Sequence, residues 1–76
     1  MDEPKFPEET ITTVATLAAP FSREITLQTV DHESGLKMMR MRIKEGRARF
    51  TIIDLDPPTA KTMVEILGAW VNEAGA

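Results

Sequence analysis

From Arg23 to Asp54 the chain repeats with a period of two, and directly afterwards the period becomes 3.6. That switch limits the fold more than any other feature. Alternation sends successive side chains to opposite faces of a strand, whereas the longer period lines one side of a helix. In REITLQTV, Arg23 to Val30, Ile25 and Leu27 share one face and Glu24, Thr26 and Gln28 the other. Leu36 to Lys44 sets Met39, Met41 and Ile43 against Met38, Arg40, Arg42 and Lys44. Arg47 to Asp54 sets Ala48, Phe50 and Ile52 against Arg49, Thr51 and Ile53. The segment DHESG separates the first two runs, with Gly35 free to take positive φ. Glu45-Gly46 separates the last two and reads as a two-residue hairpin loop.

The run LDPPTAKTMVEILGAWVNEAGA then reads as a helix. Asp56 suits the N-cap, and Pro57 suits the first helical position, where its missing N–H costs nothing. Ala60, Met63, Val64, Leu67, Trp70, Val71 and Ala74 follow at helical spacing, and Gly75 offers a stop. Gly68, inside the helix, fits either a close approach by another element or a tolerated surface glycine.

A two-residue loop sets a register. Lys44 then faces Arg47, Arg42 faces Arg49, and Arg40 faces Thr51 on one side of the sheet. Ile43 meets Ala48, Met41 meets Phe50, and Met39 meets Ile52 on the other. With Asp31 to Gly35 as the first loop, Val30 faces Leu36, Leu27 faces Met39, Ile25 faces Met41, and Glu24 faces Arg42. The expected fold is α+β: a three-stranded antiparallel β-meander with one C-terminal helix packed on its apolar face. TITTVATLAA, residues 10–19, has helical spacing at Ile11, Val14, Ala15 and Ala18 but a β-branched start. It reads as an extended segment or a fourth, edge strand. Residues 1–20 are expected to be an N-terminal arm, partly disordered or extended, and 21–76 a single β-β-β-α domain.

Several function classes drop away. The chain has 76 residues, no Cys and one His, so neither a disulfide nor a metal staple is expected. No cofactor is expected either. Stability must come from a compact core or from association. No apolar run approaches the roughly 20 residues of a membrane span. The start, MDEPKFPEE, is acidic and Pro-bearing, unlike a signal peptide, and the expected compartment is the cytoplasm. His32 lies beside Asp31, Glu33 and Ser34, but neighbours in sequence do not make a triad, and His32 reads as a loop residue. There is no phosphate-binding glycine loop and no paired-His metal motif. No catalytic residue is expected.

Two surfaces remain. Although the net charge is −3, six of the nine Lys and Arg residues fall between Lys37 and Arg49. The expected register gathers Arg40, Arg42, Lys44, Arg47 and Arg49 into a basic stripe on the outer sheet face. Such a stripe could hold an anion or a single-stranded nucleic acid. Against this, charged edge strands also serve to prevent aggregation, and that outer face offers no aromatic for base stacking. The second surface is an apolar surplus. Met38, Val30 and Ile53 fall on the outer face, Ile66 and Ala69 widen the helix stripe, and Trp70 lies on it. Met38, Ile53, Ile66 and Trp70 are the candidate association surface. The leading expectation is a non-enzymatic domain acting through protein association as a homodimer, with nucleic-acid or anion binding as the alternative.

The run ESGLKMMRMRIKEGRARFTIIDLDPPTA, with a helix ending near Trp70, resembles a family of short uncharacterised bacterial proteins. The likeness covers about residues 21 to 71. It rests on an SG turn, an R-x-R-I strand, an EG turn, an F-T-I-x-D-L strand and a D-P-x-T-A helix start. The resemblance implies a shared fold and transfers no catalytic residue. The sheet-then-helix order also looks like single-stranded DNA-binding coactivator domains, which are dimers with a curved basic sheet. This chain lacks their aromatic positions, and it has one strand fewer unless residues 10–19 supply it.

Overall fold

The computed structural model describes residues 9–75. Four strands and one helix follow in order: β1 Glu9–Ala19, β2 Arg23–His32, β3 Lys37–Lys44, β4 Phe50–Leu55 and α1 Pro57–Ala74. The strands form one antiparallel sheet in the order β1-β2-β3-β4. The fold is therefore α+β, and the N-terminal segment is a full edge strand. The expectation of a loose arm over residues 1–8 lies outside the described residues. His32 closes β2 opposite Glu9 rather than sitting in a loop.

Both hairpin registers differ from the sequence expectation. In the β2–β3 hairpin Val30 pairs with Met38, Leu27 with Met41, Ile25 with Ile43 and Glu24 with Lys44. This is a shift of two residues, so the faces are kept. His32 N–H donates to the Leu36 carbonyl at 2.9 Å, which leaves a shorter loop than DHESG, and Gly35 takes φ 97° inside it. In the β3–β4 hairpin Arg40 pairs with Asp54, Met41 with Ile53, Arg42 with Ile52 and Lys44 with Phe50. The loop spans 45–49 and is closed by Glu45 N–H donating to the Arg49 carbonyl at 2.9 Å, with Gly46 at φ 143°. The shift is three residues, an odd number, so every β4 side chain changes face. Thr51, Ile53 and Leu55 join Met39, Met41 and Ile43. Phe50, Ile52 and Asp54 join Arg40, Arg42 and Lys44. No arginine stands opposite another, and Arg47 and Arg49 belong to the loop.

β1 changes face within itself. Thr13 pairs with Gln28 and Ala15 with Leu27, so Val14 is an extra, bulged residue. Ile11 and Leu17 are six positions apart and would share a face in a regular strand. The bulge instead sets Ile11 beside Val30 and Leu17 beside Ile25. The β1–β2 turn holds Phe21 and Ser22 at φ 63° and 61°, a left-handed conformation that costs an L-residue roughly 1–2 kcal/mol.

We call the side bearing Leu17, Ile25, Leu27, Met41, Ile43 and Ile53 face A. The side bearing Ile11, Val30, Met38, Arg40, Arg42, Ile52 and Phe50 is face B. Among the apolar residues described, only Val30 and Leu55 are buried, Val30 fully. Asp56 caps α1, its carboxylate accepting the Thr59 N–H at 2.9 Å, and Gly75 ends the helix at φ 77°. The expected helix across the apolar face is realised only over its first two turns, where Ala60 and Met63 are half-buried. Its main contact with the sheet is to β3, and no helix residue is buried. The molecule is a plate of 56 × 32 × 15 Å, with a radius of gyration of 15.5 Å against about 11 Å for a compact chain of this length.

The bulge supplies a test of this topology. Deleting Val14 makes Thr13 and Ala15 neighbours, which already face opposite ways, so β1 becomes regular with every β1–β2 pair kept and Leu17 still beside Ile25. The deletion is therefore expected to leave the protein folded, with a thermal midpoint close to that of Val14→Ala, which changes only an exposed side chain. Loss of folding on deletion would contradict the assigned register.

Candidate functional site

Face B carries Arg40, Arg42 and Lys44 of the five expected basic residues, whereas Arg47 and Arg49 lie in the β3–β4 loop. Arg40 is half-buried and engaged: its Nε donates to Asp54 Oδ1 at 2.8 Å, and its Nη2 to Asp54 Oδ2 at 3.1 Å. This two-pronged pairing comes directly from the observed register, which sets the two residues opposite each other. The hydrogen bonds from Arg40 hold the Asp54 carboxyl below its ordinary range, and the bonds to Asp54 raise the Arg40 guanidinium. Arg40 is thereby occupied within the sheet.

Arg42 has a different neighbour. Its guanidinium carbon lies 4.2 Å from the centroid of the Phe50 ring, a cation–π contact. Sequence reasoning placed Phe50 in the core, because a two-residue loop would have turned it inward. It is instead an exposed aromatic on the basic face, at 45% of its free surface. Lys44, Arg47 and Arg49 are exposed, and with Arg42 they make no ion pair among the described residues. Glu45, in the same loop, accepts the Thr51 hydroxyl at 2.8 Å. The basic residues outside ion pairs are thus Arg42, over the Phe50 ring, Lys44, paired with Phe50, and Arg47 and Arg49 in the β3–β4 loop. Glu24 is the acidic residue set opposite Lys44, not Arg42.

The four candidate association residues lie on three surfaces. Met38 is half-buried on face B beside Val30. Ile53 is on face A beside Met41, not on the outer face as expected, and is 44% exposed. Ile66 and Trp70 are on α1, both 63% exposed. The larger feature is what the helix adds. Val64, Leu67, Trp70 and Val71 form one stripe, and all are exposed. Face A is open too, with Leu17 and Ile53 exposed and Ile25, Leu27, Met41 and Ile43 half-buried. Where the two surfaces meet, Thr29, Asp31, Lys37, Met39, Leu55, Pro57 and Ala60 line a groove of about 460 Å³. The Lys37 ammonium donates to Asp31 at 3.1 Å on its rim.

Among the described residues no three His, Cys, Asp or Glu side chains come together to hold a metal ion. His32 Nε2 lies 3.6 Å from Glu9 Oε2 as a cross-strand pair. No helix of the described residues is long and apolar enough to cross a membrane.

The chain was compared with known proteins. The model of a family described as "Family of unknown function (DUF6967)" matches residues 8–73. No curated protein and no solved structure matches.

The Arg40–Asp54 pair predicts a pH signature. Because Asp54 titrates lower in the folded chain than unfolded, its contribution is whole above its ordinary value of 3.8 and is lost as pH falls through the lowered one. Asp54→Asn is expected to cost about 1 kcal/mol at neutral pH, the upper end for an exposed pair with good geometry. The difference should vanish in strong acid. Denaturant unfolding of both proteins across that range measures it, and a gap that persists in acid would rule out the ion pair as its cause.

Proposed function

For this chain, which belongs to that family of unknown function, we propose an association module that completes its hydrophobic core with a second copy of itself, acting through binding rather than catalysis. The observation that carries this reading is the helix: 18 residues, an apolar stripe, and no buried residue. An isolated helix of this length is marginal in water, and most helical stability in proteins comes from packing an amphipathic face. Each large apolar side chain of the stripe would contribute about 1.5–3 kcal/mol on burial.

Trp70 is the only tryptophan and reports on this directly. Light scattering at micromolar concentration is expected to give twice the chain mass, with Trp70 emission shifted to the blue and moving to the red on dilution. Leu67→Asp should give a monomer of lower stability with red emission at every concentration. A folded wild-type monomer with water-exposed tryptophan emission would sink the proposal.

A second reading is favoured by one observation, the position of Phe50. An exposed ring under Arg42, paired with Lys44 across the strands and next to a loop carrying Arg47 and Arg49, is a small stacking platform with phosphate-binding charges nearby. Stacking of a base on an aromatic is worth about 1–3 kcal/mol. Titration with a fluorescent oligothymidine should show binding at low salt that weakens with a log–log slope of about −3 for four phosphate contacts. Phe50→Ala should weaken it at least fivefold. Absence of binding at low salt would retire this reading and leave the association reading untouched.

A further inference from the structure

The chain exposes two apolar surfaces, the stripe of α1 and face A, and they differ in shape. The first is a ridge; the second is a broad sheet. We infer that the α1 helix of one copy lies across face A of a second copy, and the second helix across face A of the first, around a two-fold axis. This rests on the association proposed above and names the surfaces that meet.

Four observations carry it. First, the dimensions match. An 18-residue helix is about 27 Å long, and the strands β3 and β2, of 8 and 10 residues, are about 27 and 33 Å. Second, the helix is directed away from its own sheet. A single residue, Asp56, joins Leu55 to Pro57. Its extended backbone (φ −83°, ψ 166°) and its bond to the Thr59 N–H set the angle of departure. Laying α1 down on its own face A would mean turning that residue and losing the cap. Third, Gly68 lies on the flank of the stripe beside Val64 and Val71. Nothing within 4 Å would obstruct a Cβ there, so the single chain does not need a glycine. Glycine disfavours a helix interior, and close approach of a partner sheet accounts for it. Fourth, crosswise packing covers both helices and both sheet faces with one closed operation. Helix against helix alone would leave both face A surfaces in water, and face A against face A would leave both stripes. A head-to-tail version would not close and would polymerise.

The chain has no cysteine, so single cysteines map the contact cleanly. Leu67→Cys marks the stripe and Leu27→Cys marks face A; Val64→Cys and Met41→Cys serve as a second pair if either of the first fails to fold by circular dichroism. The two variants of a pair are unfolded together, refolded as a mixture and treated with a short bismaleimide linker. The expected result is a cross-linked dimer in the mixture and far less in either variant alone. Strong cross-linking of the helix variant alone, or of the sheet variant alone, in a protein that light scattering shows to be dimeric, overturns the crosswise arrangement but keeps the dimer. So does a dimeric mixture in which nothing cross-links. A monomer at every concentration removes the association reading itself. A chain carrying both cysteines that closes an internal link as a monomer shows the helix on its own sheet, and overturns both.

Discussion

A single β-sheet layer has two faces, and this chain has little of its own length with which to cover either. The rest of the structure depends on that constraint. With four strands and one helix in the described chain, a core could form only if the helix lay flat on one face. The one-residue joint at Asp56 sends it elsewhere. Val30 and Leu55 are consequently the only buried apolar residues among those described, and large apolar groups of the helix, Leu67 and Trp70, remain in water. Hydrophobic burial is the dominant favourable term in folding. The apolar surface left in water is what the proposed association would cover.

The two faces then take different roles. Face A is apolar through its middle and toward the β1–β2 turn, because the Val14 bulge brings Leu17 onto it and the long β3–β4 loop brings Ile53, and it turns polar at the β2–β3 end with Thr12, Thr29, Asp31 and Lys37. Face B is divided. Near the β2–β3 hairpin it is apolar, with Val30 enclosed between Ile11 and Met38. Its middle is tied by the Arg40–Asp54 pair, and the end near the β3–β4 loop is basic around Phe50. The same odd shift of register that places Thr51, Ile53 and Leu55 on face A removes the arginine-against-arginine repulsion and supplies both Asp54 and Phe50 to the basic side. A single loop length therefore decides the packing of one face and the chemistry of the other.

Much of the fold was legible in the sequence, and the physical reason is locality. The period-two alternation of β2 and β3, the Asp56 cap, the proline start and the Gly75 stop all act over a few residues, and each is present where the sequence placed it. The candidate site was less legible. Arg42, Lys44, Arg47 and Arg49 were found by their clustering, but the partner of Arg40 and the aromatic beneath Arg42 were not. The strand FTIIDL offers apolar residues to both faces, Phe50 and Ile52 on one and Ile53 and Leu55 on the other, so alternation could not choose between them. An apolar-on-apolar match exists in either register. The available signal was Asp54, which a three-residue shift carries from the apolar face, opposite Lys37, to the basic face, opposite Arg40.

What the sequence determined by itself is the kind and order of the elements, and an apolar stripe on the helix too long for one sheet end to cover. These follow from backbone sterics and side-chain spacing within each segment. Only the tertiary structure decided which face each residue of β4 serves, that β1 changes face at Val14, and that α1 leaves the sheet after two turns. Those choices rest on loop closure, on pairing between residues 14 to 15 positions apart such as Gln28 with Thr13 and Arg40 with Asp54, and on one backbone angle at Asp56. No local pattern encodes them, because each weighs alternatives that are nearly equal within their own segment.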